Sequence, residues 1–386
     1  MTTRELDTKY IAPTYARFPV EIVRGRGSLV WDESGREYID MGTGIAVNTF
    51  GLADEKWISA VTAQLGKVQH TSNLFYSEPC AKLAQLLCER TGMKKVFFGN
   101  SGAEANECAI KAARKYAQDK KGPEYYNIIT LKNSFHGRTI TTLAATGQDV
   151  FHEKFTPLTP GFLYADPADP GSLSELIAEN KVAAILFEAV QGEGGVLPLP
   201  ADFVAAMKRA ASENDVLLIA DEVQVGNGRS GALYGYMNLG LAPDIVTTAK
   251  GLGGGLPIGA CLLGEKVENV FSPGDHGSTF GGNPAACAGA VNILERLTDD
   301  VLAGVRERSH FLIRALSCAQ GVKSVTGMGL MLGIETAKPA SEVVAACREN
   351  GVLVLTAKSK VRLLPALNIP MELLQRAAEV IKAACI

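Results

Sequence analysis

The stretch Val216-Leu-Leu-Ile-Ala-Asp-Glu-Val-Gln224 decides the fold, because five consecutive apolar residues end abruptly in two carboxylates. A short, continuous apolar run of this kind is typical of a strand that is buried on both faces. Upstream, Phe203 to Asn214 predicts a helix, and Val182-Ala-Ala-Ile-Leu-Phe187 predicts another fully apolar strand. Downstream, Asp244 to Thr248 repeats the pattern. Buried strands that alternate with helices indicate a mostly parallel sheet with helices on both faces.

The alternation continues through the middle of the chain. The further elements expected there are strands at Lys95-Val-Phe-Phe98, Tyr126 to Leu131 and Gly259 to Leu263, and helices at Ala103 to Tyr116 and Ser174 to Glu179. The fold class expected is therefore α/β, with a large domain over residues 49–276.

The two ends of the chain show a different pattern. Residues 20–41 alternate around turn signals at Gly25-Arg-Gly27 and Gly35, which predicts antiparallel hairpins. Beyond residue 285 we expect a long helix, strands at 322–325 and 330–335, another helix, and strands near Val352 and Val361. We predict that residues 1–48 and 277–386 together form a smaller α+β domain.

Composition narrows the classes of function. The 386 residues are 47% hydrophobic and 20% charged, with a net charge of −3 and no long basic run, which argues against nucleic acid and anionic membranes as partners. No apolar stretch is long enough to cross a bilayer. The eight cysteines are scattered singly and the five histidines form no ligand pair, so we expect a cytoplasmic protein with reduced thiols and no metal.

Lys250 is the first candidate for chemistry. It ends the strand pattern that starts at Asp244 and is followed at once by Gly251-Leu-Gly-Gly-Gly-Leu-Pro257. Its amine could form a Schiff base with a carbonyl, whereas a lone lysine after a strand is more often a solvated charge. Asp221, at the end of another strand, could pair with a pyridine nitrogen. The two residues together are what pyridoxal phosphate (PLP) requires of a protein.

A phosphate site is indicated in the motif Phe98-Gly-Asn-Ser-Gly-Ala-Glu-Ala-Asn106. Ser101 and Glu104 form a capping box, so a helix begins there. The bland interpretation is a well-capped helix. The functional interpretation is that the backbone N–H groups of Ser101, Gly102 and Ala103 bind a phosphate at the helix start.

The segment Asn133-Ser-Phe-His-Gly-Arg138 follows a predicted strand. Phe135 could stack on a flat cofactor ring, and Arg138 could bind a carboxylate with two hydrogen bonds. Taken alone, a core phenylalanine and a surface arginine are the simpler explanations. His136 is expected to be a hydrogen-bonded wall residue rather than a base.

Other candidates follow further along the chain. Gln224 could contact a phenolic ring oxygen, whereas Glu222 is expected to be solvated and to point the other way. Glu193 lies in a loop expected to be mobile, the segment from Gly277 to Pro284 offers hydroxyls, and Arg362 lies on a strand of the small domain.

The stretch Gly226-Asn-Gly-Arg-Ser-Gly231 matches a dinucleotide fingerprint in its letters only. That fingerprint must leave a strand and open a helix. The next residues, Ala232 to Gly240, are too rich in glycine and aromatic side chains for such a helix. A turn-rich loop is expected instead, which disfavours an NAD-dependent oxidoreductase.

Four motifs together resemble those of the class III, fold-type I, PLP-dependent aminotransferases. They are Ser-Gly-Ala-Glu-Ala-Asn at 101–106, Phe-His-Gly-Arg-Thr at 135–139, Asp-Glu-Val-Gln at 221–224 and Thr-Thr-Ala-Lys-Gly at 247–251. The finer segments Thr14 to Pro19, His70 to Pro79, Ala144 to Gln148 and Phe155 to Gly161 are similar to the acetylornithine aminotransferase branch. The resemblance covers nearly the whole chain and implies a seven-stranded sheet in the large domain.

The resemblance also implies a role for each matching residue. Lys250 would attach the cofactor and shuttle the proton, and Asp221 would pair with the ring nitrogen. The cofactor contacts implied are Ser101, Gly102 and Ala103 for the phosphate, Phe135 and Val223 for the two ring faces, Gln224 for the ring oxygen, and Thr279 for the phosphate of the neighbouring subunit. The substrate contacts implied are Tyr15, Arg138, Glu193, Ser278 and Arg362, with Arg362 binding 2-oxoglutarate or glutamate and Glu193 pairing with Arg362 otherwise.

Two segments depart from the family pattern. Gly51-Leu-Ala-Asp-Glu55 stands where the family has Gly-His-x-His-Pro, and Glu188-Ala189 stands where it has Glu-Pro. Neither is expected to touch the cofactor shell.

The resemblance implies a homodimer with shared active sites that transfers an amino group from N-acetylornithine to 2-oxoglutarate. Ornithine, succinylornithine, 4-aminobutyrate, a carrier-bound lysine or N-succinyldiaminopimelate stay open as alternative amino donors. A PLP-binding protein without turnover is the remaining alternative, and it would be expected to lack Lys250 or Asp221.

Overall fold

The structure, a computed structural model, describes residues 1–386 and arranges the chain around four sheets. The strands are β1 (Ile22–Arg26), β2 (Leu29–Asp32), β3 (Glu37–Asp40), β4 (Lys95–Gly99), β5 (Asn127–Leu131), β6 (Phe162–Ala165), β7 (Val182–Phe187), β8 (Val190–Gln191), β9 (Leu197–Pro198), β10 (Leu217–Asp221), β11 (Ile245–Thr248), β12 (Gly259–Leu263), β13 (Val322–Met328), β14 (Met331–Thr336), β15 (Val352–Leu353), β16 (Leu355–Ala357) and β17 (Lys360–Leu363). The α-helices are α1 (Thr3–Tyr10), α2 (Thr43–Ala46), α3 (Glu55–Leu65), α4 (Glu78–Thr91), α5 (Gly102–Lys121), α6 (Ile140–Ala145), α7 (Pro170–Glu179), α8 (Ala201–Asn214), α9 (Gly235–Asn238), α10 (Pro284–Arg296), α11 (Asp299–Ser317), α12 (Ala340–Glu349) and α13 (Met371–Cys385). Two 3₁₀ turns cover Asp149–Phe151 and Lys250–Leu252.

The central sheet has seven strands in the order β4-β12-β11-β10-β7-β5-β6. Only β12 runs antiparallel to its neighbours, so the predicted mostly parallel seven-stranded sheet is confirmed. Leu217 and Ile219 of β10 join an apolar cluster with α5, whereas Leu218 joins Phe203 of α8 in another cluster. Alternate side chains of one strand are therefore buried on opposite faces, which explains why the strand is apolar throughout.

The two ends of the chain meet in one sheet. The antiparallel strands β1, β2 and β3 are extended by β15, which pairs with β3 in parallel. A second antiparallel sheet has the order β13-β14-β17-β16. This arrangement agrees with a small domain built from both termini, and its limits at residues 1–48 and 277–386 stay a prediction.

Some elements differ from those expected. The single long helix predicted beyond residue 285 is two helices, α10 and α11, because Thr298 interrupts the first and caps the second. The helices α3 and α4 and the strand β6 were not predicted. In α3 only Val61 is buried, so its sequence carries little of the apolar periodicity on which such a prediction depends.

Candidate active site

A cavity of about 600 Å³ opens at the carboxyl ends of β5, β10 and β11. Ligands in open α/β sheets bind at this edge. Ten of the predicted site residues line it, namely Tyr15, Ser101, Gly102, Ala103, Phe135, Arg138, Asp221, Val223, Gln224 and Lys250. Glu193, Ser278, Thr279 and Arg362 are not among the lining residues.

Lys250 follows β11 and begins the 3₁₀ turn, with a left-handed φ of 46°. Such a backbone angle is uncommon for a residue other than glycine and marks local strain. Burial lowers the pKa of the Lys250 amine, and this effect outweighs the opposing charges of Glu193 and Asp221. A lowered pKa leaves more of the amine neutral, as a nucleophile or a base requires.

Asp221 is the last residue of β10 and is buried. Its Oδ2 accepts hydrogen bonds from Asn106 Nδ2 and from His136 Nδ1, each at 2.8 Å, and its Oδ1 accepts the N–H of Val223 at 3.0 Å. Asn106 is itself fixed, because its Oδ1 accepts from Thr247 Oγ1 at 2.7 Å. The carboxylate is thus held from three elements beside Lys250.

Asn106 and Thr247 were not assigned roles from the sequence, although both lie inside the quoted motifs. His136 was expected to be a hydrogen-bonded wall residue, and the structure confirms that expectation while identifying Asp221 as its partner. Its Nε2 is buried and has no hydrogen-bond partner in the protein. A buried polar atom without a partner is unusual and is typical of a site that a ligand or ordered water completes.

The other end of the cavity is the start of α5. Ser101 Oγ accepts the N–H of Glu104 at 3.2 Å, and the Glu104 carboxylate accepts the N–H of Asn100 at 2.7 Å. The Ser101 half of the predicted capping box is therefore present, whereas Glu104 accepts the N–H of Asn100 instead of that of Ser101. The N–H groups of Gly102 and Ala103 belong to the first turn, so they have no intrahelical acceptor. They suit the phosphate of the predicted cofactor.

Small side chains shape the space between the two ends. A Cβ atom at Gly102 would lie 2.6 Å from Val223 Cγ1, so only glycine fits there. Val223 and Phe135 both line the cavity, as the predicted ring contacts require. Together with Asp221 and the α5 start, these residues fit PLP, with a carboxylate for the ring nitrogen, apolar surfaces for the ring and N–H donors for the phosphate.

Arg362 and Glu193 form an ion pair next to the cavity, in which the Arg362 side chain is buried and that of Glu193 is partly exposed. Arg362 Nη1 donates to Glu193 Oε1 at 2.6 Å and to Gln224 Oε1 at 3.0 Å. Burial opposes ionisation of Glu193, but the charge and hydrogen bond of Arg362 hold the pKa of Glu193 below its usual range. Arg362 Nε is buried and has no partner, so the guanidinium still has a free donor. Gln224 lines the cavity and connects the pair to it.

Glu188 contradicts one expectation. It was expected to lie outside the cofactor shell, yet it lines the cavity and is buried. Its two oxygens accept the N–H groups of Phe135 at 2.9 Å and Gly192 at 3.2 Å. Burial and the nearby charge of Asp221 raise the pKa of Glu188 well above its usual value. The residue therefore fixes the backbone beside the ring contact. The other departure, at residues 51–55, does not line the cavity.

The prediction for Glu222 was wrong. The side chain is not solvated but fully buried, and it accepts the N–H groups of Gly235 and Tyr236 at 2.7 Å each. It caps α9, and burial raises the pKa of Glu222 to about 8. The rest of the loop between Asp221 and α9 consists of turns and bends. The stretch that matches the dinucleotide fingerprint therefore does not begin the helix that dinucleotide binding requires. Arg229 of that loop donates to the carbonyls of Leu330 and Pro365 instead.

Arg138 is exposed at the mouth of the cavity and packs on aromatic rings. Its Cζ lies 4.3 Å from the ring centre of Phe151 and 5.6 Å from that of Phe135. Tyr15 lines the same mouth and is 75% exposed. Phe151 was not predicted as part of the site, because nothing in its local sequence marks it as a neighbour of Arg138.

Ser278 and Thr279 lie on the loop before α10. Ser278 Oγ accepts from Asn100 Nδ2 and from the N–H of Gly281, each at 3.1 Å. Thr279 is exposed. The predicted contacts of Thr279 involve a neighbouring subunit, and its position on the surface is compatible with that prediction.

The chain matches known proteins along nearly its full length. The family model described as aminotransferase class-III covers residues 10–385. An acetylornithine aminotransferase from Haemophilus ducreyi is 50% identical over 98% of this chain and 97% of that protein, and a succinylornithine transaminase from Citrobacter koseri is 43% identical over 96% and 93%. The solved structure of an ornithine aminotransferase from Toxoplasma gondii, described with partial occupancy of PLP at its active site, has a TM-score of 0.93, 33% sequence identity and coverage of 99% of this chain and 93% of that one.

The fold and the site define an aminotransferase that uses PLP. The chain belongs to the class III aminotransferases.

Two further findings concern other ligands and surroundings. No helix combines the length and the apolar character that a membrane crossing would require. No cluster of three or more histidine, cysteine, aspartate or glutamate side chains is arranged to hold a metal ion.

Proposed function

We propose that this protein transfers the amino group of N-acetylornithine to 2-oxoglutarate, giving N-acetylglutamate 5-semialdehyde and glutamate. The resemblance to acetylornithine aminotransferases over the full chain supports this donor. The observation that carries the proposal is the ion pair between the buried Arg362 and the partly exposed Glu193 beside the cavity. In such a pair, the charge of Arg362 is available to 2-oxoglutarate when Glu193 turns away and is neutralised by Glu193 when N-acetylornithine binds.

The two substrates place different demands on one site. N-acetylornithine reacts at a primary amine whose carbon carries no carboxylate, whereas glutamate reacts at a carbon that does. While Glu193 is paired with Arg362, the positive charge is neutralised, and the site accepts a reacting carbon that carries no carboxylate. When Glu193 turns away, Arg362 can bind the α-carboxylate of 2-oxoglutarate with two parallel hydrogen bonds. Its unpartnered Nε is a donor for this interaction.

Arg138 would bind the carboxylate at the far end of either substrate. It lies at the mouth, is exposed, and stacks on Phe151 rather than on a carboxylate of the chain. A guanidinium on an aromatic face is held in position while its edge stays free for a carboxylate. Succinylornithine shares the carboxylate and the reacting amine of N-acetylornithine, so this contact alone does not separate the two donors.

PLP supplies the carbonyl that takes up the amino group and the ring that stabilises negative charge at the reacting carbon. Asp221, held by Asn106 and His136, would keep the ring nitrogen protonated. Lys250 would hold the cofactor until the donor arrives. Its freed Nζ would then take the proton from the donor carbon and return it on the cofactor side, as a general base followed by a general acid.

We also propose that two copies of the chain share their active sites. Thr279 lies on an exposed loop that carries Phe280, 60% exposed, against His70. The neighbouring Phe75 and Tyr76 are 70% and 108% exposed, an apolar content that a soluble monomer rarely presents in one place. A partner subunit seated there would cover these residues, and Thr279 would then reach the active-site cavity of that partner. Light scattering should give twice the chain mass. Disrupting the dimer should also weaken PLP binding.

A cytoplasmic location stays a prediction. It is supported by the eight cysteines, all of which are free.

The experiment that tests the donor follows a single half-reaction by absorbance. The PLP-loaded protein is mixed separately with N-acetylornithine, succinylornithine, ornithine and 4-aminobutyrate, without keto acid. The proposal predicts that N-acetylornithine converts the cofactor to its amino form fastest. A clear preference for any of the other three compounds would change the assigned amino donor but leave the roles of Lys250 and Asp221 unchanged. Absence of a lysine-bound cofactor band would overturn the assignment of the site.

A further inference from the structure

The strand that carries Arg362 pairs with β14 and β16, and Arg362 itself reaches Glu193 and Gln224 outside that sheet, so its position depends on contacts on both sides. One of its large-domain partners is Glu193, which under the proposed function must leave during half of the reaction. Other contacts must therefore keep Arg362 in place while Glu193 is turned away, a requirement that rests on the proposed function.

Hydrogen bonds hold the backbone on both sides of Glu193, in the loop that the sequence led us to expect to be mobile. Gly192 donates its N–H to Glu188, and the carbonyl of Val196 accepts from Thr326 Oγ1 at 2.8 Å. Between them, a Cβ atom at Gly194 would lie 2.4 Å from the carbonyl oxygen of Asn133. With the backbone held on both sides, we assign the exchange of partners to the Glu193 side chain.

The strand β17 is well anchored after Arg362. The carbonyl of Leu364 accepts from Thr43 Oγ1 at 2.6 Å, and its N–H donates to Met41 at 2.7 Å. The carbonyl of Pro365 accepts from Arg229 at 2.9 Å. These contacts do not involve Glu193, so they persist when it moves.

Before Arg362, the chain turns at Lys358-Ser359 between β16 and β17. Lys358 Nζ donates to Asn133 Oδ1 at 2.5 Å, which joins the hairpin tip to the large domain. Asn133 is itself fixed, because its N–H donates to the carbonyl of Gly147 at 2.8 Å. Asn133 therefore contacts the hairpin of Arg362 through its side chain and the loop of Glu193 through its backbone carbonyl.

The conformation of Lys358 supports a specific role. Its φ is 51°, in the left-handed region that hairpin turns fill with glycine or asparagine. A lysine at that position adds conformational strain that the turn alone does not require. Lys358 and Asn133 also border a polar cleft of about 480 Å³, so water has access to their bond.

We propose that Lys358 is a positioning residue, whose bond to Asn133 holds the Arg362 hairpin against the large domain while Glu193 is turned away. In the donor half-reaction the Glu193–Arg362 pair makes this bond redundant. In the 2-oxoglutarate half-reaction, the Lys358–Asn133 bond is the side-chain contact that holds the hairpin before Arg362, next to the bond from Arg362 to Gln224. Its loss should therefore affect one half-reaction and not the other.

The test uses Lys358→Met, which keeps most of the side chain, and Lys358→Gly, which also removes the strain of the turn. Lys323→Met is the matched control, because Lys323 is an exposed lysine of the same domain. Each half-reaction is measured separately by the absorbance of the cofactor. We expect both Lys358 variants to bind 2-oxoglutarate about two- to fivefold more weakly, as for the loss of one exposed charged hydrogen bond. Reaction with the amino donor should stay within experimental error of the original protein.

Asn133→Gly supplies the partner variant, because glycine accepts the left-handed φ of 67° found at this residue. Combining it with Lys358→Met should add nothing to the effect of either change alone. An additive loss would mean that Lys358 acts through something other than Asn133.

A second measurement does not depend on any substrate. Hydrogen exchange of the amides at residues 355–363 is compared with and without Lys358→Met, once in the original chain and once in Glu193→Ala, which mimics the released state. The proposal predicts faster exchange mainly in the Glu193→Ala background. Equal acceleration of exchange in both backgrounds, or none in either, would overturn the proposal. A Lys358→Gly variant that binds 2-oxoglutarate as tightly as the original protein would also overturn it. If the original protein did not accept 2-oxoglutarate, the proposed function would fail while the exchange result still decided the role of Lys358.

Discussion

The Lys250–Asp221 centre and the Arg362–Glu193 pair lie on either side of Gln224 but are built in opposite ways. Asp221 is level with Thr247 on the adjacent parallel strand, three residues before Lys250, so the sheet register and the 3₁₀ turn after β11 set their spacing. Arg362 and Glu193 are 169 residues apart and meet only where the strand β17 packs against the loop after β8. The first arrangement is suited to holding one geometry, and the second to changing between two.

The hydrogen bonds around each group agree with that difference. Asp221 is held by Asn106, His136 and Val223, so it has little freedom to rotate. Glu193 has two side-chain partners, Arg362 and Gln224, and keeps 29% of its side chain exposed. The fixed carboxylate of Asp221 suits a cofactor that stays bound. The carboxylate of Glu193, which can turn toward solvent, suits a site that binds two substrates in turn.

The largest effect should come from breaking the rigid centre at Lys250. Lys250→Ala removes the amine that is expected to move the proton, so each half-reaction should slow by about 10⁴-fold, the upper end for general acid–base catalysis. Stopped-flow absorbance of the PLP-loaded variant checks this. The variant should still bind PLP through the start of α5 and Asp221. A rate within about tenfold of the original would remove Lys250 from the chemistry.

The next effect tests the support of Asp221. Asp221→Asn keeps the shape but loses the charge, which should weaken PLP binding by about 10- to 100-fold, as expected for a hydrogen bond to a charged group. Equilibrium dialysis of PLP measures this. Thr247→Val is the graded control, because it removes only the bond that fixes Asn106. We expect a smaller loss from it, and equal losses would show that the network matters more than the charge.

A smaller, selective effect is expected on the other side of Gln224. Glu193→Ala uncovers Arg362 permanently, which should favour glutamate over N-acetylornithine as amino donor by about tenfold. The ratio of the two half-reaction rates is the measurement, since it cancels any common loss of folded protein. An unchanged ratio would contradict the exchange of partners at Arg362.

The same contrast explains what could be predicted from the sequence. Asp221 and Lys250 each end an apolar strand, and parallel strands place such ends together, so local pattern was sufficient for them. The Arg362–Glu193 pair came only from family resemblance, because no local pattern joins residues so far apart. The contact between His136 and Asp221 has the same cause, with 85 residues between the partners.

Glu222 shows where local reasoning failed. Alternation places its side chain opposite that of Asp221, and the opposite side was taken to be solvent. Because β10 lies in the middle of the sheet with helices on both faces, the opposite side is also interior. The carboxyl group is therefore buried against the N–H groups that begin α9.

The last prediction extends the comparison to these two adjacent carboxyl groups, one facing the cavity and one beneath it. The pKa of Glu222 is raised from 4.5 to about 8 by burial, so between these values the folded chain binds a proton that the unfolded chain has released. Stability should therefore fall as pH rises through this window, by up to about 1.4 kcal/mol per pH unit from this group. Glu222→Gln should flatten that slope in urea unfolding at pH 5 to 8. Glu213→Gln, at an exposed position, should leave the slope unchanged. Parallel slopes for Glu222→Gln and the original chain would show that Glu222 is ionised in the folded state and that its two N–H donors outweigh its burial.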